Sequence, residues 1–201
     1  MNSGNTYKFR FVLPGDASAI TEIYRPYVED SIVSWEYKAP EEDDFLKKIR
    51  NWSNQYPWLI CEYDGQVVGY AYANEHRDRI GYQWAVEASI YVHPDFRKKS
   101  IARSMYTALF DLLKMQGYHV VLAIISVPNI PSVALHASMG FVKTASFENI
   151  GFKYDAWQSS EWFILRLQDK EQTATAITPI DEIEQDQIDH IFQRALDIIK
   201  K

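Results

Sequence analysis

The stretch Ser89-Ile90-Tyr91-Val92-His93-Pro94-Asp95-Phe96-Arg97-Lys98-Lys99-Ser100-Ile101-Ala102-Arg103 decides the fold. Its first residues close a mostly apolar run, Trp84 to Val92, that reads as a strand ending at His93-Pro94. A helix pattern then starts at Ile101, with Met105, Leu109, Leu112 and Leu113 on the same face and Gly117 as the stop. A helix that opens straight after a tight turn presents unpaired N–H groups and a positive dipole end to an anion. Arg97, Lys98 and Lys99 add charge at that mouth, while the small Ser100 and Ala102 let a ligand approach the backbone. A pyrophosphate meets these demands; a merely solvated basic turn has the same composition.

Working outward, Tyr7 to Val12 alternates as a first strand, and Asp16 is placed to cap a helix reaching about Tyr27. Ser31 to Pro40 lacks a helical period and reads as a loop, and Glu41 to about Gln55 as a second helix with acids in its first turn. Trp58 to Tyr63 and Gln66 to Tyr72, separated by Asp64-Gly65, form a hairpin, followed by a polar loop from Asn74 to Tyr82. Val120 to Ser126 is a continuous apolar strand covered on both faces. A short helix with Pro131 in its first turn ends at Met139-Gly140. Strands Phe141 to Phe147 and Trp162 to Leu167, joined through Gly151 and Asp155, complete the sheet. Asp169 to Thr178 is a polar linker, and Ile180 to Lys201 an amphipathic helix that docks on its own domain, on a second subunit or on a partner. The expectation is α/β: a mixed, mainly antiparallel sheet with helices on both faces over 1–168, and a helical extension over 169–201.

Two motifs fix a resemblance. Val92-His93-Pro94 followed by Arg97-x-x-Ser100-x-Ala102 resembles the R/Q-x-x-G-x-G/A signature with which the GNAT acetyltransferase superfamily binds the coenzyme A pyrophosphate. Downstream, Asn129-x-x-Ser132-x-Ala134-Leu135-His136-x-x-x-Gly140-Phe141 resembles the same superfamily's motif beside the thioester. Tyr56-Pro57-Trp58-Leu59, Val68-Gly69-Tyr70-Ala71-Tyr72-Ala73, Ala85-Val86-Glu87-Ala88-Ser89-Ile90-Tyr91-Val92 and Gly151-Phe152-Lys153 are similar to the phosphinothricin N-acetyltransferase branch. The matches run from about Phe9 to Leu167. The resemblance implies acetyl-CoA as cosubstrate, no metal, a small amino-acid-like amine as acceptor, and a homodimer. It implies a cofactor site formed by Ile90, Tyr91, Val92, Arg97, Lys98, Lys99, Ser100, Ile101, Ala102, Arg103, Asn129 and Ser132. Ser100 departs from the pattern, standing where the superfamily usually has Gly. Its Cβ disfavours positive φ and crowds a phosphate, and a right-handed backbone there would turn its hydroxyl toward the ligand instead.

Transfer of an acyl group from a thioester to an amine needs a base for the ammonium, donors for the oxyanion and a proton for the departing thiolate. Glu87 interrupts an apolar strand, where a half-buried carboxylate serves as base through a water; a strand residue facing solvent is the plainer alternative. The resemblance favours the base. His136, whose imidazole works on either side of a proton transfer, becomes base for the amine or acid for the sulfur, and Tyr106 a further proton donor or a packing residue. The oxyanion donor is expected from a backbone N–H near Val92, which also meets the pantetheine arm. Trp35, Tyr37, Arg77, Arg79 and Tyr82 fall in the two loops where the branch places its acceptor pocket, an Arg fork gripping the carboxylate or phosphinate.

Composition limits the alternatives. A net charge of −6 argues against a general nucleic-acid binder, and no run approaches the length of a membrane span. The single Cys61, in the apolar run Trp58 to Cys61, forms no intramolecular disulfide and reads as a buried thiol. The first six residues lack a signal-peptide pattern, so a cytoplasmic setting is expected. The apolar stripe from Ile188 to Ile199 is expected to be exposed and to serve dimerisation. Two rival functions remain on this fold: acetylation of a protein or peptide terminus, and a non-catalytic acyl-CoA-binding module.

Overall fold

The computed structural model describes residues 6–169 and 171–199; the leader reading and the last two residues of the terminal helix lie outside them. Strand β1 (Tyr7–Phe11) leads into α1 (Ala17–Glu29) and α2 (Glu42–Trp52). Next come β2 (Trp58–Tyr63), β3 (Gln66–Glu75) and β4 (Ala85–Val92). Then α3 (Ile101–Gln116), β5 (Val120–Val127) and α4 (Ile130–Ser138) precede β6 (Val142–Lys153), β7 (Ala156–Arg166) and α5 (Gln185–Leu196). The strands form one sheet in the order β1-β2-β3-β4-β5-β7-β6, antiparallel at every step except β4 beside β5. That exception follows from connectivity: a helix carries the chain from β4 to β5, and parallel neighbours need such a crossover.

Two apolar cores sandwich the sheet. On one face α3 and α5 pack through Met105, Leu109, Leu112, Leu113, Ile188 and Phe192 against Phe9, Leu59, Val68 and Val121. On the other, Ile20, Ile23 and Val28 of α1 and Phe45 and Ile49 of α2 pack on Trp58, Ile60 and Tyr70. Alternation along β2 divides Leu59 and Cys61 from Trp58 and Ile60 between the two, as a strand with a period of two requires. Cys61 is buried, and burial pushes its thiol up to about 12, so it is an inert packing group.

Four expectations are corrected. Asp16 does not cap α1: its carboxylate turns back to accept from Arg10 (2.7 Å) and from the Leu13 N–H (2.7 Å). Burial alone would raise that carboxyl, but these bonds outweigh it and hold it below the usual range. The two closing strands are one long hairpin, because Tyr154 and Asp155 both take positive φ (54°) and make a two-residue turn. β3 continues three residues past Tyr72 into the polar segment, since its ladder with β4 runs to the pair Glu75–Val86. The stripe of α5 is not exposed: Ile188, Ile191, Phe192 and Ala195 are buried on this chain's own α3 and β1. The basis for dimerisation through that stripe is therefore gone.

Candidate active site

β4 and β5 pair over only three steps, Ala85–Val120, Val86–Val121 and Glu87–Leu122. Beyond them β4 stays with β3 to Val92, and β5 stays with β7 to Val127. Each strand follows its outer partner, so the two diverge and leave a wedge. A cavity of ≈ 80 Å³ occupies it, walled by Ala88, Ser89, Ile90 and Tyr91 on one side and by Ala123 to Ser126 on the other. Tyr106, Asn129, Ser132, His136 and Val33 close it. Unpaired strand edges of this kind offer backbone N–H and C=O groups to an amide-bearing ligand.

At the wide end, the Tyr27 hydroxyl sits on Val92, donating to its carbonyl (2.7 Å) and accepting from its N–H (3.3 Å). Both main-chain groups of Val92 therefore face away from β3, and by the period of two those of Ile90 do as well. The Arg97 guanidinium lies over the Tyr27 ring, 5.0 Å from its centre, and the Lys99 ammonium over Phe96 at 4.9 Å. Lys98 and Ser100 both adopt left-handed backbone, φ 63° and 66°. Ser100 is the N-cap of α3, yet its hydroxyl makes no cap bond, and the first helical bond runs from the Ser104 N–H to the Ser100 carbonyl (3.0 Å). The N–H groups of Ile101, Ala102 and Arg103 thus stand ahead of the helix, as an anion cradle requires. Ile101 contributes only backbone, its side chain being buried in the core. Arg103 turns aside to Ser138, reaching its carbonyl (3.4 Å) and hydroxyl (2.5 Å), and ties α3 to the end of α4.

Asn129 caps α4, its side chain accepting from the Ser132 N–H at 3.2 Å. That start aims His136, one turn beyond Ser132, into the wedge. Its Nδ1 lies 2.8 Å from the Ser132 carbonyl, which only accepts, so Nδ1 carries the proton and Nε2 the lone pair. The Tyr106 hydroxyl donates to that lone pair at 3.3 Å. Burial lowers the His136 pKa, against a smaller opposing effect of the Ser132 bond, and burial pushes the Tyr106 phenol far up. The pair is neutral, with one transferable proton on the phenol.

Glu87 is half-buried on the sheet face opposite α3 and carries a partner: its Oε1 lies 2.8 Å from Nδ1 of His76. On the same face the Tyr72 phenol, pushed up to about 12 by burial first, feels both Glu36 and Glu87. Of the loop residues expected around the acceptor, Trp35 packs its six-membered ring against Gly151, and Tyr37 bonds the Phe152 carbonyl while remaining exposed. Tyr82 packs edge-on against His76, and Arg77 and Arg79 are exposed. None of these five lines the wedge itself, to which their loops contribute only Val33. Tyr27 and His76 were missed by sequence reading. Tyr27 depends on how α1 docks over the end of β4, and His76 on strand register: with Asn74 opposite Glu87, His76 falls on the same face, diagonal to it.

The Acetyltransferase (GNAT) domain family matches residues 9–162. The chain belongs to the GNAT acetyltransferases. Within this family it is 31% identical over 142 residues to phosphinothricin N-acetyltransferase of Streptomyces viridochromogenes, covering 71% of this chain and 78% of that one. It is 34% identical over 160 residues to the L-methionine sulfoximine/L-methionine sulfone acetyltransferase of Salmonella typhimurium, covering 79% and 93%. Among solved structures, yncA of Salmonella typhimurium with its cofactor acetyl-CoA superposes with a TM-score of 0.81 at 31% identity, over 85% of this chain and 99% of that one. A GNAT phosphinothricin acetyltransferase from Sinorhizobium meliloti in complex with AcCoA gives 0.80 at 30%, over 85% and 94%. This GNAT domain therefore has the expected α/β architecture, its wedge lying between β4 and β5.

Proposed function

We propose that the chain transfers the acetyl group of acetyl-CoA to the amine of a small amino acid of the methionine sulfone, methionine sulfoximine or phosphinothricin kind. The wedge carries this reading: strand edges with outward backbone groups run toward an uncapped helix start flanked by Arg97, Lys98 and Lys99. Those residues fit a ligand with amides along its arm and a diphosphate at its end. When bound, acetyl-CoA supplies the thioester. Glu87, on the face of the acceptor loops, takes the ammonium proton through a water. The Ile90 main chain donates to the carbonyl oxygen as charge develops there. His136, held neutral, accepts from the Tyr106 hydroxyl and orients it. Tyr106 passes its proton to the departing sulfur as it takes up the second proton of the attacking nitrogen, so no buried phenolate is left. Trp35, Tyr37, Arg77, Arg79 and Tyr82 surround the acceptor once the two loops close over it, an Arg gripping its acidic group. Residues 1–168 are the catalytic unit and 169–201 a structural extension.

The test is coenzyme A release on mixing the protein, acetyl-CoA and a panel of methionine sulfone, methionine sulfoximine, phosphinothricin, polyamines and short peptides. Release with the first three is expected; release with peptides alone, or with none, overturns the substrate class. Glu87→Gln should lower kcat by about a hundredfold or more, the share of a positioned base; unchanged turnover removes that role. The protein is also proposed to be a homodimer located in the cytoplasm. Phe147, Ile150, Phe152 and Trp157 are exposed on the hairpin that ends the sheet, with β6 as its edge strand, which a second copy would cover. A monomer by light scattering at micromolar concentration contradicts this.

A further inference from the structure

We propose that His76 is a positioning residue that fixes Glu87 for proton transfer and couples it to the loop carrying Arg77 and Arg79. The inference rests on the assignment of Glu87 as base. It starts from the 2.8 Å contact between Nδ1 of His76 and Oε1 of Glu87. A carboxylate only accepts, so Nδ1 donates, and one Glu87 oxygen is fixed while the other is left for the water. A free glutamate on a strand samples several rotamers, and ordering one side chain costs entropy at each turnover unless a partner has already imposed the geometry.

The imidazole is itself held. Its side chain is only 9% exposed, Tyr82 meets it edge-on at 5.9 Å, and Trp162 of β7 does so at 6.2 Å. Four pieces of chain therefore converge on one ring: the segment just past β3 that carries it, β4 through Glu87, the turn before β4 through Tyr82, and β7 through Trp162. Arg77 and Arg79 follow His76 directly in sequence. A shift of that loop on meeting an acidic acceptor is transmitted through His76 to the Glu87 carboxylate. The acceptor thereby helps to aim the base that deprotonates it.

Asn and Gln variants separate donor position from mere polarity. An Asn amide places its N–H near the Nδ1 position, whereas a Gln amide reaches nearer to Nε2. His76→Asn should retain kcat within about threefold. His76→Gln should lower kcat roughly tenfold, part of what a positioned base supplies, with KM for acetyl-CoA changed less than about twofold. Both substitutions put an amide at one site, so thermal melts should match. In a Glu87→Gln background the His76→Gln loss should vanish, because neighbours acting as one unit are not additive. Equal kcat for the two His76 variants, or a full tenfold loss persisting without the Glu87 carboxylate, overturns the positioning role. Wild-type turnover in Glu87→Gln alone instead overturns the base assignment beneath it.

Discussion

A neutral imidazole is what the interior of this domain asks of His136. Because burial lowers its pKa, the native state binds fewer protons than the unfolded chain just below the ordinary histidine value near 6.5. Its contribution to stability is thus complete above about pH 6.5 and is lost as pH falls through the lowered native value. Urea melts of wild type and His136→Gln should differ in slope against pH only in that acid window; parallel curves throughout contradict the assignment. Ser100 carries strain of another kind. A side chain in the left-handed region costs about 1–2 kcal/mol, more than the ~0.4–1 kcal/mol by which glycine loosens the unfolded chain. Ser100→Gly should therefore stabilise the protein by roughly 0.5–1 kcal/mol in denaturant melts. Sequence alone left the backbone at Ser100 open, because its Cβ argues for the right-handed region while the glycine usual at that position argues for the left, and only the turn around it decides. Glu87 and His136 break a local pattern in the sequence, as a charge in an apolar strand and an imidazole between an Asn cap and Gly-Phe. The roles proposed for them come from the family resemblance, and Tyr106 was a candidate donor with packing as its alternative. His76 breaks no such pattern: it is one polar residue in a polar segment, and its meaning comes from a strand pairing across ten intervening residues.

The elements themselves were largely readable. Hydrophobic period, Gly117 and Asp64-Gly65 placed α3 and the β2–β3 hairpin, because local sterics set those boundaries. What escaped was the length of the β6–β7 hairpin, whose outward residues are apolar and whose turn residues, Tyr154 and Asp155, are not the usual glycine pair. The far end of that hairpin organises the loop after α1. The Lys153 ammonium is buried and donates to the carbonyls of Val28 (2.7 Å), Ser31 (3.0 Å) and Ser34 (2.8 Å), using all three of its protons. Gly151 leaves the space into which Trp35 fits: a Cβ there would stand 2.1 Å from Cζ3 of the indole. Gly151→Ala should expel Trp35, destabilise by about 1–3 kcal/mol and raise KM for the acceptor far more than KM for acetyl-CoA. Wild-type acceptor KM in that variant would detach Trp35 from recognition.

Across the molecule, α5 is part of the chain's own core. Phe192 packs against Phe9 (6.1 Å between ring centres) and Phe11 (5.6 Å), and the Ser104 hydroxyl near the start of α3 donates to the Ala195 carbonyl (2.5 Å). Phe192→Ala should cost about 3–5 kcal/mol, the usual range for emptying an aromatic site, and chemical melts read it directly. A loss below 1 kcal/mol would mean that α5 is detachable. The divergence of β4 from β5 bears on how the whole body holds together. Three rungs join a four-stranded half to a three-stranded half, so the joint is the sheet's weakest line. Whatever threads that seam acts as a rivet across it. Heat resistance should climb with acyl-CoA concentration, and hydrogen exchange at residues 88–91 should slow more than at any rung of β2.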